Sequence, residues 1–193
     1  MTFVWKPATE TNNLMANLLL TPTLPLPQPG ACLRPWQPAD APALAGYAND
    51  RSIWQNLRDT FPHPYTTHDA EYFLAAVADN QRDLHLAFAV DGVAVGSIGV
   101  HFKSDVRRRS AEIGYWLARP YWGQGLATAA VQAVAAYVLA NFDVCRLYAV
   151  VFEPNAASAR VLEKAGFALE ATMRKSVVKD GQMLDSRLYA LVV

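Results

Sequence analysis

Apolar residues recur along this chain with two periods, and the switches between them mark its elements. Residues 84–90 and 93–101 are β-rich runs on either side of Asp91-Gly92, a pair that favours a type I′ turn, so they predict a hairpin. Upstream, residues 31–36 read as a first strand. Residues 38–49 read as a helix, with proline near its start and Asp40 in the first turn. Residues 51–64 follow as a short helical or irregular stretch. Thr66 or Thr67 then caps a helix over 69–79 that is expected to bury Tyr72, Phe73 and Val77. Residues 111–117 form the next strand, with Glu112, Gly114 and Trp116 on one side and Ile113, Tyr115 and Leu117 on the other. In the Ala/Val-rich run 126–141, Ala127, Val131, Val134 and Val138 recur at i, i+4, i+7 and i+11, the buried stripe of a helix. A strand over 146–152 precedes a helix over 155–164, capped by Asn155 and stopped at Gly166. Strands near 167–178 and 183–191, joined through Lys179-Asp180-Gly181, close the chain.

Antiparallel runs around one strand–helix–strand unit describe an α+β fold with helices against a mixed, mostly antiparallel sheet. The crossover through the long helix makes strands 111–117 and 146–152 parallel neighbours. Pro22, Pro25, Pro27 and Pro29 make the approach to residue 30 extended, so residues 1–30 are expected to form a Pro-rich segment outside the core. Residues 31–193 then form a single domain, and Met15 is an alternative start.

Composition narrows the function classes. The formal charge is +0 with 18% charged residues, which leaves no electrostatic footprint for nonspecific nucleic-acid binding. The 126–141 helix contains Gln132 and is too short to span a bilayer, and the N-terminus lacks the pattern of a secretory signal, so no membrane partner is expected. Two cysteines, Cys32 and Cys145, make no disulfide framework and suit a reducing cytoplasm. The four histidines show no metal-ligand spacing along the chain, and no metal is implied.

The most informative stretch is Trp122-Gly123-Gln124-Gly125-Leu126-Ala127-Thr128, a glycine turn that opens the long helix. The first N–H groups of a helix lack intrahelical partners and the macrodipole is positive there, so such a turn binds anions. No lysine or arginine lies in it, and backbone donors would hold the ligand; that points to a diphosphate-bearing cofactor. It is not a P-loop, since the Gly-Lys-Ser/Thr ending is missing. Gly123-x-Gly125-x-x-Thr128 matches two of the three glycines of a dinucleotide fingerprint, but no acid follows at a strand end about 20 residues on. The third template is the Gln/Arg-x-x-Gly-x-Gly/Ala loop of acyl-CoA enzymes, matched except that Trp122 stands at its first position.

Downstream, Asn155-Ala-Ala-Ser158 leading to Gly166-Phe167 fits the same template. So do Leu33-Arg34-Pro35-Trp36, the segment Asp59 to Tyr65, Ala111 to Leu117, and Lys179-Asp180-Gly181 with Asp185 and Tyr189. Over roughly residues 32–193 the chain resembles the GNAT superfamily of N-acetyltransferases, in its RimJ/RimL-like branch. That resemblance implies a sheet whose parallel pair splays to admit the pantetheine arm of acetyl-CoA. It also implies direct acetyl transfer to a primary amine, on a protein N-terminus or a small molecule, by a monomer or homodimer. Tyr115, Trp116, Leu117, Gly123, Gln124, Gly125, Ala127, Thr128 and Asn155 would hold the cofactor, and Arg107-Arg108-Arg109 is either a solvated turn or a partner for its 3′-phosphate.

Acetyl transfer from a thioester needs a neutral amine, a donor for the oxyanion and a proton for the departing thiolate. Glu112 is the candidate base or water relay, against an ordinary sheet carboxylate. Ser158 is the candidate acid, against an ordinary first-turn serine; no tyrosine stands just downstream of it. Asp59, Phe61, His63 and Tyr65 would wall the acceptor site, with Tyr189 at its border, against simple loop and core packing. Two rival readings are a non-catalytic acyl-CoA-binding regulatory domain and a nicotinamide-binding oxidoreductase; the hairpins contradict the second.

Overall fold

Nearly all the predicted elements form, and their tertiary order opens the sheet at one place. The computed structural model describes residues 21–193; Met15 and the start of the Pro-rich segment lie outside the described residues. The elements are β1 (Leu24–Pro25), β2 (Ala31–Pro35), α1 (Ala41–Ala48), α2 (Arg51–Trp54), α3 (Thr67–Asp79), β3 (Leu84–Val90), β4 (Val93–Phe102), β5 (Ser110–Leu117), α4 (Leu126–Asn141), β6 (Arg146–Phe152), α5 (Ala156–Lys164), β7 (Ala168–Lys179) and β8 (Gln182–Val192). They build one eight-stranded sheet in the order β1-β2-β3-β4-β5-β6-β8-β7, antiparallel at every step except β5 against β6.

Local chemistry explains the boundaries. The β3–β4 and β7–β8 turns place Asp91-Gly92 and Asp180-Gly181 at positive φ in both positions, the backbone that a two-residue type I′ hairpin requires. Thr66 and Asp69 exchange hydrogen bonds in a capping box at the start of α3. At the end of α5, Phe167 N–H reaches Leu162 O and Gly166 N–H reaches Glu163 O, both within 3.1 Å, with Gly166 left-handed at φ 92°. This is a Schellman closure, and it turns the chain sharply into β7.

Helices α4 and α5 cover one face of the sheet, and α1 and α3 cover the other. Leu126, Ala130, Val131, Val134, Ala135 and Val138 of α4 pack with Ala159 and Leu162 of α5 on the main core. A smaller core joins Leu44 and Ala48 of α1 with Tyr65 and with Ala70 and Leu74 of α3. The buried stripe of α4 starts at Leu126 rather than at Ala127, which is half-buried. In α3 the apolar face is rotated from the expected one. Ala70 and Leu74 are buried, Phe73 and Val77 are half-buried, and Tyr72 is 75% exposed. The i, i+4 pair Ala70/Leu74 meets α1, and Tyr72 faces away from that contact.

Residues 21–30, expected to lie outside the core, are partly built into it. Leu24 and Pro25 pair with Leu33 and Cys32, and Leu26 is buried in the main core. The proline spacing hides this, because an edge strand of two residues needs no alternating pattern. A chain beginning at Gly30 loses the burial of Leu26, about 1.5–3 kcal/mol, and its melting temperature should fall by roughly 3–12 °C. An unchanged melting temperature on calorimetry would make this short strand energetically idle.

Candidate active site

The site begins where β5 and β6 separate. Their pairing is confined to Ser110 with Arg146, Ala111 with Leu147 and Glu112 with Tyr148. Both strands continue for several residues, β5 held by β4 and β6 held by β8 on their outer edges. Beyond Glu112 the facing edges of Tyr115–Leu117 and of residues 149–152 therefore present main-chain N–H and C=O groups to a gap, where an extended amide-bearing arm can take the place of the missing strand partner. Gly114 and Val150 are exposed although each lies inside a strand, and a Cβ at Gly114 would touch nothing within 4 Å.

The end of β5 leads through Arg119–Tyr121 into the glycine turn. Gly125 is the N-cap of α4 at φ 78°, a conformation that other residues adopt only with strain. The first helical N–H to find a partner in this turn is that of Ala129, on Gly125 O, so the donors of Leu126, Ala127 and Thr128 point out of the helix end. Trp122, where the template has Gln or Arg, ties the turn to the strand end, because its indole N–H donates to Leu117 O at 2.6 Å. Gln124 donates to Pro120 O at 3.0 Å, and Gln28 of the N-terminal arm donates to Gln124 O at 3.3 Å. Arg107, Arg108 and Arg109 sit at the opposite end of β5, a strand length of about 26 Å away, so they do not reach the glycine turn. Arg109 pairs with Asp143 instead.

Across the gap, Asn155 caps α5 by accepting the Ser158 N–H at 3.1 Å. Its Oδ1 is thus engaged in folding and its amide NH2 is left for a ligand. Ser158 Oγ lies 2.9 Å from the Tyr115 hydroxyl, which also approaches Ser158 O at 3.3 Å. Burial pushes the Tyr115 phenol up to about 12, against the opposing effect of the bond to Ser158, so it remains a neutral proton donor. Spacing gave no sign of this pair, whose members stand 43 residues apart; the α4 crossover brings them together.

On the opposite face of β5, Glu112 sits at the fork. Lys103 Nζ donates to its Oε2 at 2.9 Å, Arg58 pairs with Oε1, and the Tyr148 hydroxyl stands 3.5 Å from Oε2. Burial alone would raise its pKa. The Lys103 hydrogen bond and the charges of Arg58, Lys103 and His101 outweigh it and hold the carboxylate below its ordinary value. Glu112 is therefore a fixed anion at neutral pH. Neither Lys103 nor Arg58 stands out in the sequence, because both arrive from irregular segments that carry no periodic signal.

The segment between α2 and α3 lies over this face. Phe61 packs on Tyr65 and on Trp116, with centroids 4.8 and 5.9 Å away, so the Trp116 ring lies under this segment. Tyr65 is buried, with its phenol also pushed up to about 12 by burial. His63 lies against Trp54. Asp59 pairs at 2.7 Å with Lys179, whose side chain is 3% exposed and sits over the Trp54 ring at 3.8 Å. Asp59 thus ties the wall to the β7–β8 hairpin. Tyr189 departs from expectation: it is 1% exposed, lies in the main core and donates to Glu163 at 3.1 Å. Its strand faces α5 at that position, so it does not border the acceptor site. Beside the glycine turn a cavity of about 710 Å³ opens between the α1–α2 corner and Arg119–Pro120, lined also by Tyr47, Asn49 and Asp50.

A sheet parted at one parallel pair, with a helix N-terminus at the mouth of the gap, is the arrangement of the acetyltransferase fold. The chain belongs to the GNAT acetyltransferase family, whose domain it matches over residues 31–168. It is 36% identical over 98 residues to the Uncharacterized N-acetyltransferase YoaA of Bacillus subtilis, covering 51% of this chain and 55% of that protein. It is 29% identical over 85 residues to the ribosomal-protein-serine acetyltransferase of Escherichia coli, covering 44% and 48%. The matched stretches thus span about half the length of these two relatives. Among solved structures it is similar to Mycobacterium smegmatis RimJ in complex with CoA-disulfide, with TM-score 0.78, 26% identity and coverage of 90% of this chain and 87% of that one.

Proposed function

We propose that this protein transfers an acetyl group from acetyl-CoA directly to an α-amine, in the manner of the enzymes that modify protein N-termini. The observation that carries the reading is the gap beyond Glu112, which opens toward Ser158–Tyr115 on one face and toward Glu112 on the other. The backbone of Gly123, Gln124, Gly125, Ala127 and Thr128 would hold the pyrophosphate, and the free edge of Tyr115–Leu117 with Asn155 would pair with the pantetheine. Ser158, backed by Tyr115, returns a proton to sulfur. A cytoplasmic site of action fits two cysteines that are both free.

Glu112 supports the choice of acceptor. A carboxylate held as an anion by Lys103 and Arg58 is a weak base with its charge already balanced, and its role is to orient a water that carries the proton away. Freeing an α-amine of pKa about 7.7–8.0 costs roughly 1 kcal/mol at pH 7, whereas a lysine-type amine at about 10.4 costs roughly 4–5. A weak base suffices only for the first. Thiol release at pH 7 should therefore be at least about tenfold faster with peptides bearing a free N-terminus than with N-blocked lysine peptides or polyamines. Equal rates would overturn the α-amine assignment. Binding of acetyl-CoA without thiol release to any acceptor would instead favour an acyl-CoA-binding regulatory domain.

A further inference from the structure

One strand beyond Glu112, on the same face of the sheet, three ligand-type side chains converge that the transfer reaction does not use. Asp83 immediately precedes β3, His85 lies on β3 and His101 on β4; His85 is registered with Gly99, so His101 falls opposite Asp83. One potential ligand atom from each residue lies within 4.8 Å of the other two, and all three residues are half-buried. We propose that Asp83, His85 and His101 form a binding site for a divalent transition-metal ion of the zinc type. Two imidazoles and a carboxylate suit such ions, whereas magnesium and calcium select oxygen ligands.

The surroundings already orient the donors. Asn80 Oδ1 accepts the N–H groups of Arg82 and Asp83 at 2.8 and 3.0 Å, which turns its NH2 toward His85 Nε2 at 3.1 Å. An amide NH2 can only donate, so Nε2 is unprotonated and accepts it; an ion on Nε2 would displace this hydrogen bond, since the nitrogen has a single lone pair. Asp83 Oδ1 accepts the Phe102 N–H at 3.1 Å, which leaves Oδ2 facing His101 Nδ1 at 2.9 Å. The ion takes the place of the proton between Oδ2 and Nδ1; from a neutral ring that proton moves to Nε2, and from a protonated ring it leaves to solvent. Ligands at about 2.0–2.2 Å around a tetrahedral ion stand roughly 3.3 Å apart, so the donors must close by up to about 1.5 Å, a side-chain rotation rather than a backbone change. A cavity of about 780 Å³ between α3 and the strands is lined by Asp83, His85, Asn80, Trp36 and Glu71, and it supplies an entry path and space for a water at the fourth position.

The test is calorimetric titration of the chelator-treated full chain with Zn²⁺, paired with Co²⁺ absorption spectra. The expected result is one ion bound in the micromolar range or tighter, weakened at least about tenfold by His85→Gln and by His101→Gln. Co²⁺ should show ligand-field bands without the thiolate charge transfer that Cys32 or Cys145 would produce. Absence of binding below roughly 100 µM, parental affinity in either variant, or a thiolate signature would overturn the site. Should the variants unfold, the imidazole resonances of His85 and His101 in the parent chain decide: they must shift on Zn²⁺ addition, and unmoved resonances refute the proposal.

Discussion

Gly125→Val should lower acetyl-CoA affinity by about a hundredfold or more while the domain stays folded. Gly125 caps α4 at φ 78°, and the nearest atom to an added Cβ is Gln28 Nε2 at 3.5 Å. The substitution therefore meets little steric resistance inside the protein, but a β-branched residue at that φ costs of order 1–3 kcal/mol or turns the peptide away. Either response displaces the N–H groups of residues 125–128 from the anion, and each charge-assisted hydrogen bond lost is worth about 1.5–3 kcal/mol. Losing one or two such bonds accounts for the hundredfold. Binding can be followed by calorimetry and folding by circular dichroism. A folded variant with unchanged affinity would move the pyrophosphate elsewhere.

The second large effect is expected at the two groups proposed to move protons, and they should fail differently. Ser158→Ala should reduce turnover by about 10²-fold or more at every pH, within the general-acid range of about 10²–10⁴, with acetyl-CoA affinity nearly unchanged. Tyr115→Phe removes the 2.9 Å partner of Ser158 and should lower turnover by about tenfold; combined with Ser158→Ala it should add little, because the two act as a unit. The Tyr115 phenol, raised to about 12, stays protonated through the assay range, so the wild-type rate should show no loss with a pKa near 10. Glu112→Gln should slow the reaction most at neutral pH and recover as pH approaches the pKa of the amine. The folded-state pKa of Glu112 is lowered, so its pairing stabilises the protein above the ordinary carboxylate pKa and is lost as pH falls through the folded value. Acid unfolding of Glu112→Gln should accordingly be less steep. A Ser158→Ala rate within about twofold of wild type would leave Ser158 as a helix-start residue only, and a Glu112→Gln defect constant with pH would make that carboxylate structural.

Much of the architecture was legible along the chain, because its signals are local. The glycine turn, the run of α4, the two Asp-Gly hairpins and the cap at Asn155 each depend on residues a few positions apart, whose backbone preferences act whatever surrounds them. The right-handed crossover then obliged β5 and β6 to be parallel neighbours. Where several faces were open to an element, local pattern failed: Tyr72 is apolar enough for a core, yet α1 meets α3 through Ala70 and Leu74. Leu24–Leu26 gave no periodic signal and still closed the sheet edge.

The sequence by itself determined most of the elements, their order and the glycine turn that opens α4, since those follow from steric and hydrogen-bonding preferences over a turn or two of chain. Only the tertiary structure decided which side chains meet: Tyr115 with Ser158, Lys103 and Arg58 with Glu112, Tyr189 inside the core, and His85 with His101 beside Asp83. Those partnerships depend on strand register, on where the paired edges part and on which loop folds over which face. These are long-range choices settled by burying apolar surface across the whole domain, and no short stretch of chain encodes them.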